Sequence, residues 1–179
     1  MIMKNIIKSD DRKSIMQMVV FDLALIYIGL SLSGCISGFS PRMPNDFNFI
    51  AIYGSMKQNT VNTFNNTYTR IYDWDNDTNV PFALSDKQKE LIYRKIKRFK
   101  IEEFPNTFEP KSNIEVSPSP TFYLKFKIKG FDKEIIWETN VYSKESNAKH
   151  LRSIFSEIEN FVNQNKIIQK LPEDVRGKF

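Results

Sequence analysis

The acidic segment DWDNDTN carries Asp73, Asp75 and Asp77 at alternate positions, with Asn79 next in the series. Oxygen ligands at this spacing begin the loops that bind calcium, because hard cations prefer carboxylate and amide oxygens. The match then breaks: the sixth position holds threonine where such a loop needs glycine, and the twelfth holds leucine where it needs a bidentate glutamate. The motif is therefore an incomplete metal site, and an acidic turn between a strand and a helix is the alternative.

Catalysis by other common routes needs a nucleophile with a base, paired carboxylates or a cluster of metal ligands. His150 is the only histidine and Cys35 the only cysteine, so the chain lacks the ligands for a zinc site of histidine and cysteine. His150 lies beside a predicted apolar helical stripe, which is typical of a packed or solvated side chain. The six glycines do not fall in the spacing of a phosphate-binding or dinucleotide-binding loop. We predict no catalytic residue and no cofactor, and an enzyme is the least favoured class.

The single cysteine ends an apolar run near the N-terminus. Residues 16–32 are mostly apolar and follow a short basic segment, which is typical of an export signal, and the run is short for a bilayer span. Leu32, Ser33, Gly34 and Cys35 then resemble the lipobox of bacterial lipoproteins. The resemblance implies cleavage between Gly34 and Cys35 and a diacylglyceryl anchor on the Cys35 thiol. It places the mature chain on the extracytoplasmic face of the cell membrane.

This interpretation divides the chain into three parts. Residues 1–34 form a lipoprotein signal peptide, residues 35–46 a flexible tether, and residues 47–179 a single α+β domain. The tether is rich in Ser, Gly, Pro and Asn and has no apolar period. An uncleaved anchor helix with an unmodified Cys35 is the alternative, because Asp22 interrupts the apolar run. Both interpretations leave the domain tethered outside the cytoplasm.

The composition indicates a globular domain with a modest positive charge. The chain has 179 residues, of which 41% are hydrophobic, enough to build a core. Its 26 basic and 21 acidic residues give a formal charge of +5, which is spread along the sequence. Because no basic tract stands out, we predict no nucleic-acid partner.

Strand patterns predict two hairpins. FNFIAIYG, from Phe47, and the run Thr67–Trp74 form the first, with residues 61–64 extending the second strand across a bulge. TFYLKFKIKGFDKEIIWET forms the second, in which a Gly130–Phe131 loop would pair Lys129 with Asp132. The pairs that follow are Lys127 with Glu134, Phe126 with Ile135, Leu124 with Trp137, and Tyr123 with Glu138.

Apolar periodicity predicts two helices. In LSDKQKELIYRKIKRF, Ser85 and Gln88 can form a capping box, and the basic residues are interpreted as solvated surface. Ser143 or Ser146 can cap the last helix. The apolar face of the first helix consists of Leu91, Ile92, Ile96 and Phe99. That of the last consists of Ala148, Leu151, Ile154, Phe155, Ile158, Phe161 and Val162. The order ββαββα predicts an α+β domain: an antiparallel sheet of about four strands with two helices packed on one face.

Four segments resemble a family of small uncharacterised lipoproteins from Gram-positive bacteria of the Firmicutes. They are VNTFNNTYTR (61–70), LSDKQKELIYRKI (84–96), the FYLKFKIKG…IIWE hairpin and KLPE (170–173). The resemblance implies a location and a fold, and it brings no activity.

These observations favour a membrane-anchored, noncatalytic envelope module that binds another protein or a wall polymer. The alternative is a lipoprotein that binds a small ligand or an ion. It would use the acidic turn or a platform of the aromatic residues Tyr53, Tyr68, Tyr72 and Trp74.

Overall fold

The computed structural model describes residues 42–112 and 119–173, so the predicted signal peptide, Cys35 and most of the predicted tether lie outside the described residues. The strands and helices, in chain order, are β1 (Asn48–Tyr53), β2 (Asn59–Asn62), β3 (Thr67–Ile71), β4 (Asp77–Pro81), α1 (Asp86–Arg98), β5 (Phe122–Ile128), β6 (Phe131–Trp137) and α2 (Ser146–Asn163). Short 3-10 turns follow the helices at Ile101–Glu103 and Ile168–Lys170. The strands form one antiparallel sheet in the order β4-β3-β2-β1-β5-β6.

The predicted α+β class, antiparallel sheet and two helices are confirmed, but the sheet has six strands and not about four. The prediction merged residues 61–64 into β3, whereas Val61 lies in β2, which pairs with both β1 and β3. The prediction also missed β4, an edge strand with no buried residue. A strand without a buried face lacks the apolar alternation by which strands are recognised. The order is therefore ββββαββα, and the first four strands form a meander.

The β5–β6 hairpin has the predicted faces, but its register differs from the predicted one by two residues. The turn residues are Lys129 and Gly130, with φ of 50° and 77°, and not Gly130–Phe131. Two left-handed residues are typical of a type I′ turn. Lys127 consequently pairs with Asp132. A shift of two residues keeps each side chain on its face, so the predicted buried residues are confirmed: Leu124, Phe126, Ile135 and Trp137.

Asp46, in the segment predicted as a tether, binds this turn. Its Oδ1 accepts the N–H of Lys129 at 3.0 Å, and its Oδ2 accepts the N–H of Gly130 at 2.7 Å. These hydrogen bonds stabilise the carboxylate and hold the pKa of Asp46 below its ordinary value. Met43 of the same segment packs against the core. Ordered contacts therefore begin before Phe47.

The two helices begin differently. The capping box of α1 is confirmed, because the hydroxyl of Ser85 accepts the N–H of Gln88 and the Gln88 amide oxygen accepts the N–H of Ser85. The prediction that Ser143 or Ser146 caps α2 is wrong: the N-cap is Glu145, without a side-chain cap. Ser143 instead lies upstream, where its hydroxyl accepts the N–H of Glu145 at 3.2 Å.

The apolar faces of both helices pack on the same side of the sheet. In α1, Leu91 was predicted in the core but is 39% exposed. Tyr93 is buried instead, with its ring 5.3 Å from that of Phe47. The buried face of α1 therefore includes Tyr93 in place of Leu91. All seven residues predicted for the face of α2 are buried: Ala148, Leu151, Ile154, Phe155, Ile158, Phe161 and Val162.

Arg152 orders the loop between β6 and α2. Its guanidinium donates to the carbonyl oxygens of Val141 and Ser143, both at 2.6 Å, and lies 5.7 Å from the Trp137 ring centroid. Burial lowers the pKa of Arg152 from its ordinary value. A side chain of the last helix thus closes the loop that leads into that helix.

Replacing Asp46 should weaken the fold in a pH-dependent way. We expect the midpoint of urea unfolding at pH 7 to fall in the order wild type, Asp46→Asn, Asp46→Ala, because asparagine keeps one acceptor oxygen. A lowered folded pKa contributes stability above the unfolded value of about 3.9 and loses it as the pH falls through the folded value. Unfolding at stepwise lower pH should therefore bring the wild type down to the Asp46→Asn variant. A gap between them that stays constant at acid pH would contradict this role.

Candidate functional site

The two helices leave one face of the sheet uncovered in the described part of the chain. Phe47, which immediately precedes β1, contacts Tyr93 of α1, and Tyr53 of β1 lies 6.4 Å from Phe155 of α2, measured between ring centroids. Odd-numbered positions from Phe47 through β1 therefore face the helices. Side chains alternate along a strand, so Ile50 and Ile52 of β1 face the other way. We call this opposite side the open face.

Strand pairing arranges the open face in rows across the sheet. One row runs Thr69, Thr60, Ile52, Tyr123 and Ile136, from β3 to β6. The parallel row consists of Thr67, Asn62, Ile50, Lys125 and Glu134. All ten side chains are partly exposed. The centre of the open face is aliphatic and aromatic, while one side carries hydroxyl and amide groups and the other carries a lysine and a glutamate.

Tyr123 is the one titratable ring on these two rows. Partial burial raises the pKa of Tyr123, and the charge of Glu134 and a hydrogen bond to that carboxylate raise it further. The phenol therefore stays neutral at physiological pH. On the other side of the open face, the Asn79 amide donates to the Thr69 hydroxyl at 2.8 Å. The open face has the chemistry of a recognition surface, with hydrogen-bonding groups around an apolar centre.

The helix-facing side of the sheet contains a pair of tyrosines, Tyr53 and Tyr68, with polar neighbours. Tyr68 donates from its hydroxyl to the Asn59 side-chain oxygen and accepts the Nε–H of Arg70 at 3.1 Å. Tyr53 is 5% exposed, and its buried hydroxyl has no hydrogen-bond partner among the residues that the structure describes. Burial is the main cause that raises the pKa of both phenols, and the charge of Glu159 adds to it.

This arrangement does not form the predicted aromatic platform. Tyr53 and Tyr68 are core residues, whereas Trp74 is 67% exposed in the β3–β4 turn. Tyr72 precedes that turn and is partly exposed. The four rings are therefore split between the core and the turn, because Tyr53 and Tyr68 occupy inward strand positions.

The three aspartates of the incomplete calcium motif lie in and beside a hairpin turn. Asp73 accepts the N–H of Trp74 at 2.7 Å and the Asn76 side-chain amide at 3.3 Å, and Asp77 begins β4. Asp75 lies between them at an exposed position. Within residues 42–112 and 119–173, no cluster of three or more acidic, histidine or cysteine side chains is placed to hold a metal ion. The turn joins two strands, and not a strand to a helix as predicted.

His150 packs as an aromatic ring. It is stacked on Phe99 at 4.1 Å between centroids, with the ring planes 4° apart. Its Nε2 lies 3.4 Å from the Ser146 hydroxyl. The stacking joins the end of α1 to the start of α2.

Most basic side chains of α1 engage residues of the domain itself. Lys95 binds Glu157 at 2.9 Å and the Ser153 carbonyl oxygen at 3.0 Å. Further contacts are Lys89 with the Asn48 amide oxygen, Arg94 with Glu90, Lys97 with Glu102, and Arg98 with the Phe99 ring. These contacts give the basic residues structural partners within the domain.

Comparison with known proteins adds no relative. The chain matches no protein-family model, no curated protein and no solved structure. Among the described residues, no helix is long and apolar enough to cross a membrane. The predicted cleavage site at Gly34 and Cys35 lies outside the described residues.

The open face carries no reactive or metal-binding group, so chemical motifs in the sequence do not reveal it. A signal was present in FNFIAIYG. Phe49, Ala51 and Tyr53 account for the core face of β1, and Ile50 and Ile52 then remain as a second apolar face. A strand that is apolar on both faces indicates contacts on both.

The tyrosine pair gives opposite stability predictions for the same change. Tyr53→Phe removes a buried hydroxyl without a partner, so we expect the free energy of unfolding to stay the same or rise by up to about 1 kcal/mol. Tyr68→Phe removes a hydroxyl that has two partners, so we expect a loss of about 1–2 kcal/mol. Urea unfolding followed by circular dichroism measures both. A loss for Tyr53→Phe as large as that for Tyr68→Phe would show that the Tyr53 hydroxyl is bonded in the folded state.

Proposed function

We propose that this protein is a lipid-anchored, extracytoplasmic module of a bacterial cell envelope that binds another envelope protein through its open face. The observation that carries the binding role is the pattern of that face. Ile50, Ile52, Tyr123 and Ile136 form its centre, and polar residues lie on both sides. An apolar centre with a polar rim is the usual anatomy of a protein–protein interface.

The lipid anchor is supported by the spacing of Leu32, Ser33, Gly34 and Cys35 after an apolar run. Two acyl chains on one thiol suffice for stable membrane attachment, whereas a single chain holds only marginally. The described chain begins at Arg42, only seven residues after Cys35. The domain would therefore lie close to the membrane surface.

A protein partner is favoured over a wall polymer by the charges on the open face. Lys125 lies opposite Glu134, and Lys127 lies opposite Asp132. Paired opposite charges produce little net field, so this face lacks the excess of one sign that would attract a highly charged polymer. Its aliphatic centre instead favours burial against another apolar surface.

The anchor is tested by the chemistry of the sole cysteine. We expect mass spectrometry of the membrane fraction to find a mature chain that begins at a diacylglyceryl-modified Cys35, and Cys35→Ala to lose both the modification and the cleavage. Ser33→Ala is the matched control, because it keeps a small residue beside the cleavage site. A wild-type chain that still begins at Met1 with an unmodified thiol would contradict the anchor.

The open face is tested by photocrosslinking in the producing cells. A photoreactive amino acid at position 52 should give a discrete adduct with one identified protein. The same amino acid at position 91 should give none, because Leu91 is an exposed apolar residue of α1 on the other side of the sheet. Adding Ile50→Glu should abolish the adduct at position 52 by placing a charge in the apolar centre.

Other outcomes would contradict the protein partner. A heterogeneous adduct that a wall hydrolase removes would identify a wall polymer. Equal crosslinking at positions 52 and 91, or none at either, would show that the open face is not a specific binding surface. Circular dichroism of each variant would verify that the domain remains folded.

A further inference from the structure

One end of the sheet gathers two hairpin tips and the entry of the chain. Thr67 pairs with Asn62 beside the β2–β3 turn, and Asp46 binds the β5–β6 turn just before β1 begins. Because neighbouring strands are antiparallel, these turns and the start of β1 lie at the same end. We call this the near end. The β3–β4 turn with Trp74 lies at the opposite, far end, where β3 finishes.

Each hairpin tip at the near end presents a phenylalanine. Phe64, in the β2–β3 turn, is 45% exposed, and Phe131, at the start of β6, is 55% exposed. The two tips are three strand spacings apart, or roughly 15 Å. Isolated exposed apolar residues are common, but here two rings lie at one end of the domain, at the tips of separate turns.

The described chain starts at Arg42, four residues before Asp46, which is bound at the near end. Arg42 is seven positions after Cys35, and an extended chain covers at most about 25 Å over that length. The strands themselves extend the domain by roughly another 20 Å from the near end to the far end. A lipid on Cys35 would therefore hold the near end closer to the bilayer than the far end.

Basic side chains accompany the two rings. Lys129 is exposed in the β5–β6 turn, and Lys127 lies at the adjacent end of β5. Two carboxylates lie beside them: that of Asp46 is bound to the two turn amides, and that of the exposed Asp132 lies opposite Lys127. Basic residues close to a membrane surface are attracted by anionic headgroups, and aromatic rings enter the boundary between headgroups and acyl chains.

From these observations we infer that the near end is a membrane-docking surface: Phe64 and Phe131 enter the headgroup boundary, and Lys129 contacts anionic lipid headgroups. The inference rests on the proposed lipid anchor, which sets the end that approaches the bilayer. It goes beyond that anchor by assigning the orientation of the domain and the lipid class at its surface.

Tryptophan quenching by brominated lipids tests the orientation, because Trp74 is a natural reporter at the far end. Three chains that begin at Cys35, the mature form proposed above, are compared: the wild type, Trp74→Phe with Phe64→Trp, and Trp74→Phe with Phe131→Trp. Buried Trp137 gives the same background in all three. Each chain is attached through its single cysteine to a maleimide lipid in vesicles that contain phosphatidylglycerol. This attachment makes the test independent of the natural modification of Cys35.

We expect both near-end reporters to be quenched at least twofold more strongly than Trp74. Quenching at position 64 or 131 no greater than that of Trp74 would overturn the docking surface. Vesicles without phosphatidylglycerol should show weaker near-end quenching, and unchanged quenching would overturn the contribution of Lys129. An unmodified Cys35 in cells would instead overturn the proposed anchor alone, so the two failures are distinguishable.

Discussion

The structure depends on a one-sided sheet whose helices bury alternate residues of its central strands. Phe49, Ala51 and Tyr53 of β1 all face the helices. Because the side-chain period of a strand is two, burying these residues forces Ile50 and Ile52 to the other side. The core and the open face are therefore two consequences of the same backbone. A one-residue slip of β1 would exchange them and place Asn48 in the core.

Polar side chains fix the positions where the sheet alone would leave the backbone unpaired. The Thr63 hydroxyl accepts the N–H of Phe49 at 2.8 Å and donates to its carbonyl oxygen at 3.1 Å. The Asp46 carboxylate accepts backbone N–H groups of the β5–β6 turn, and the Arg152 guanidinium donates to backbone carbonyl oxygens of the loop before α2. Buried backbone groups are costly without partners. Each of these side chains links segments that local interactions do not join.

The two proposals make compatible use of one domain. With the near end on the bilayer, the strands would extend away from the membrane, and the open face would point along the membrane plane. A partner anchored in or near the same membrane would meet that face without displacing the domain from the lipid. If Cys35 is the anchor, the short reach of the chain before Arg42 would restrict the domain to this region and would raise the local concentration of such a partner. The proposed anchor, docking end and binding face would thus occupy separate parts of the molecule.

Local patterns in the sequence by themselves determined both helices, the capping box of α1, the seven buried residues of α2 and the faces of the β5–β6 hairpin. These features repeat every 3.6 or two residues, so a short window of sequence contains them. The same kind of pattern led to the Cys35 hypothesis, which still rests on sequence. Tertiary structure decided the rest. It made β2 and β4 strands through pairing with neighbours, and it brought Asp46, 83 residues before Lys129, against the amides of the hairpin turn. It also decided that His150 stacks on Phe99 and that the described residues leave the open face uncovered. Contacts between distant residues have no local period, because they exist only once the chain has folded.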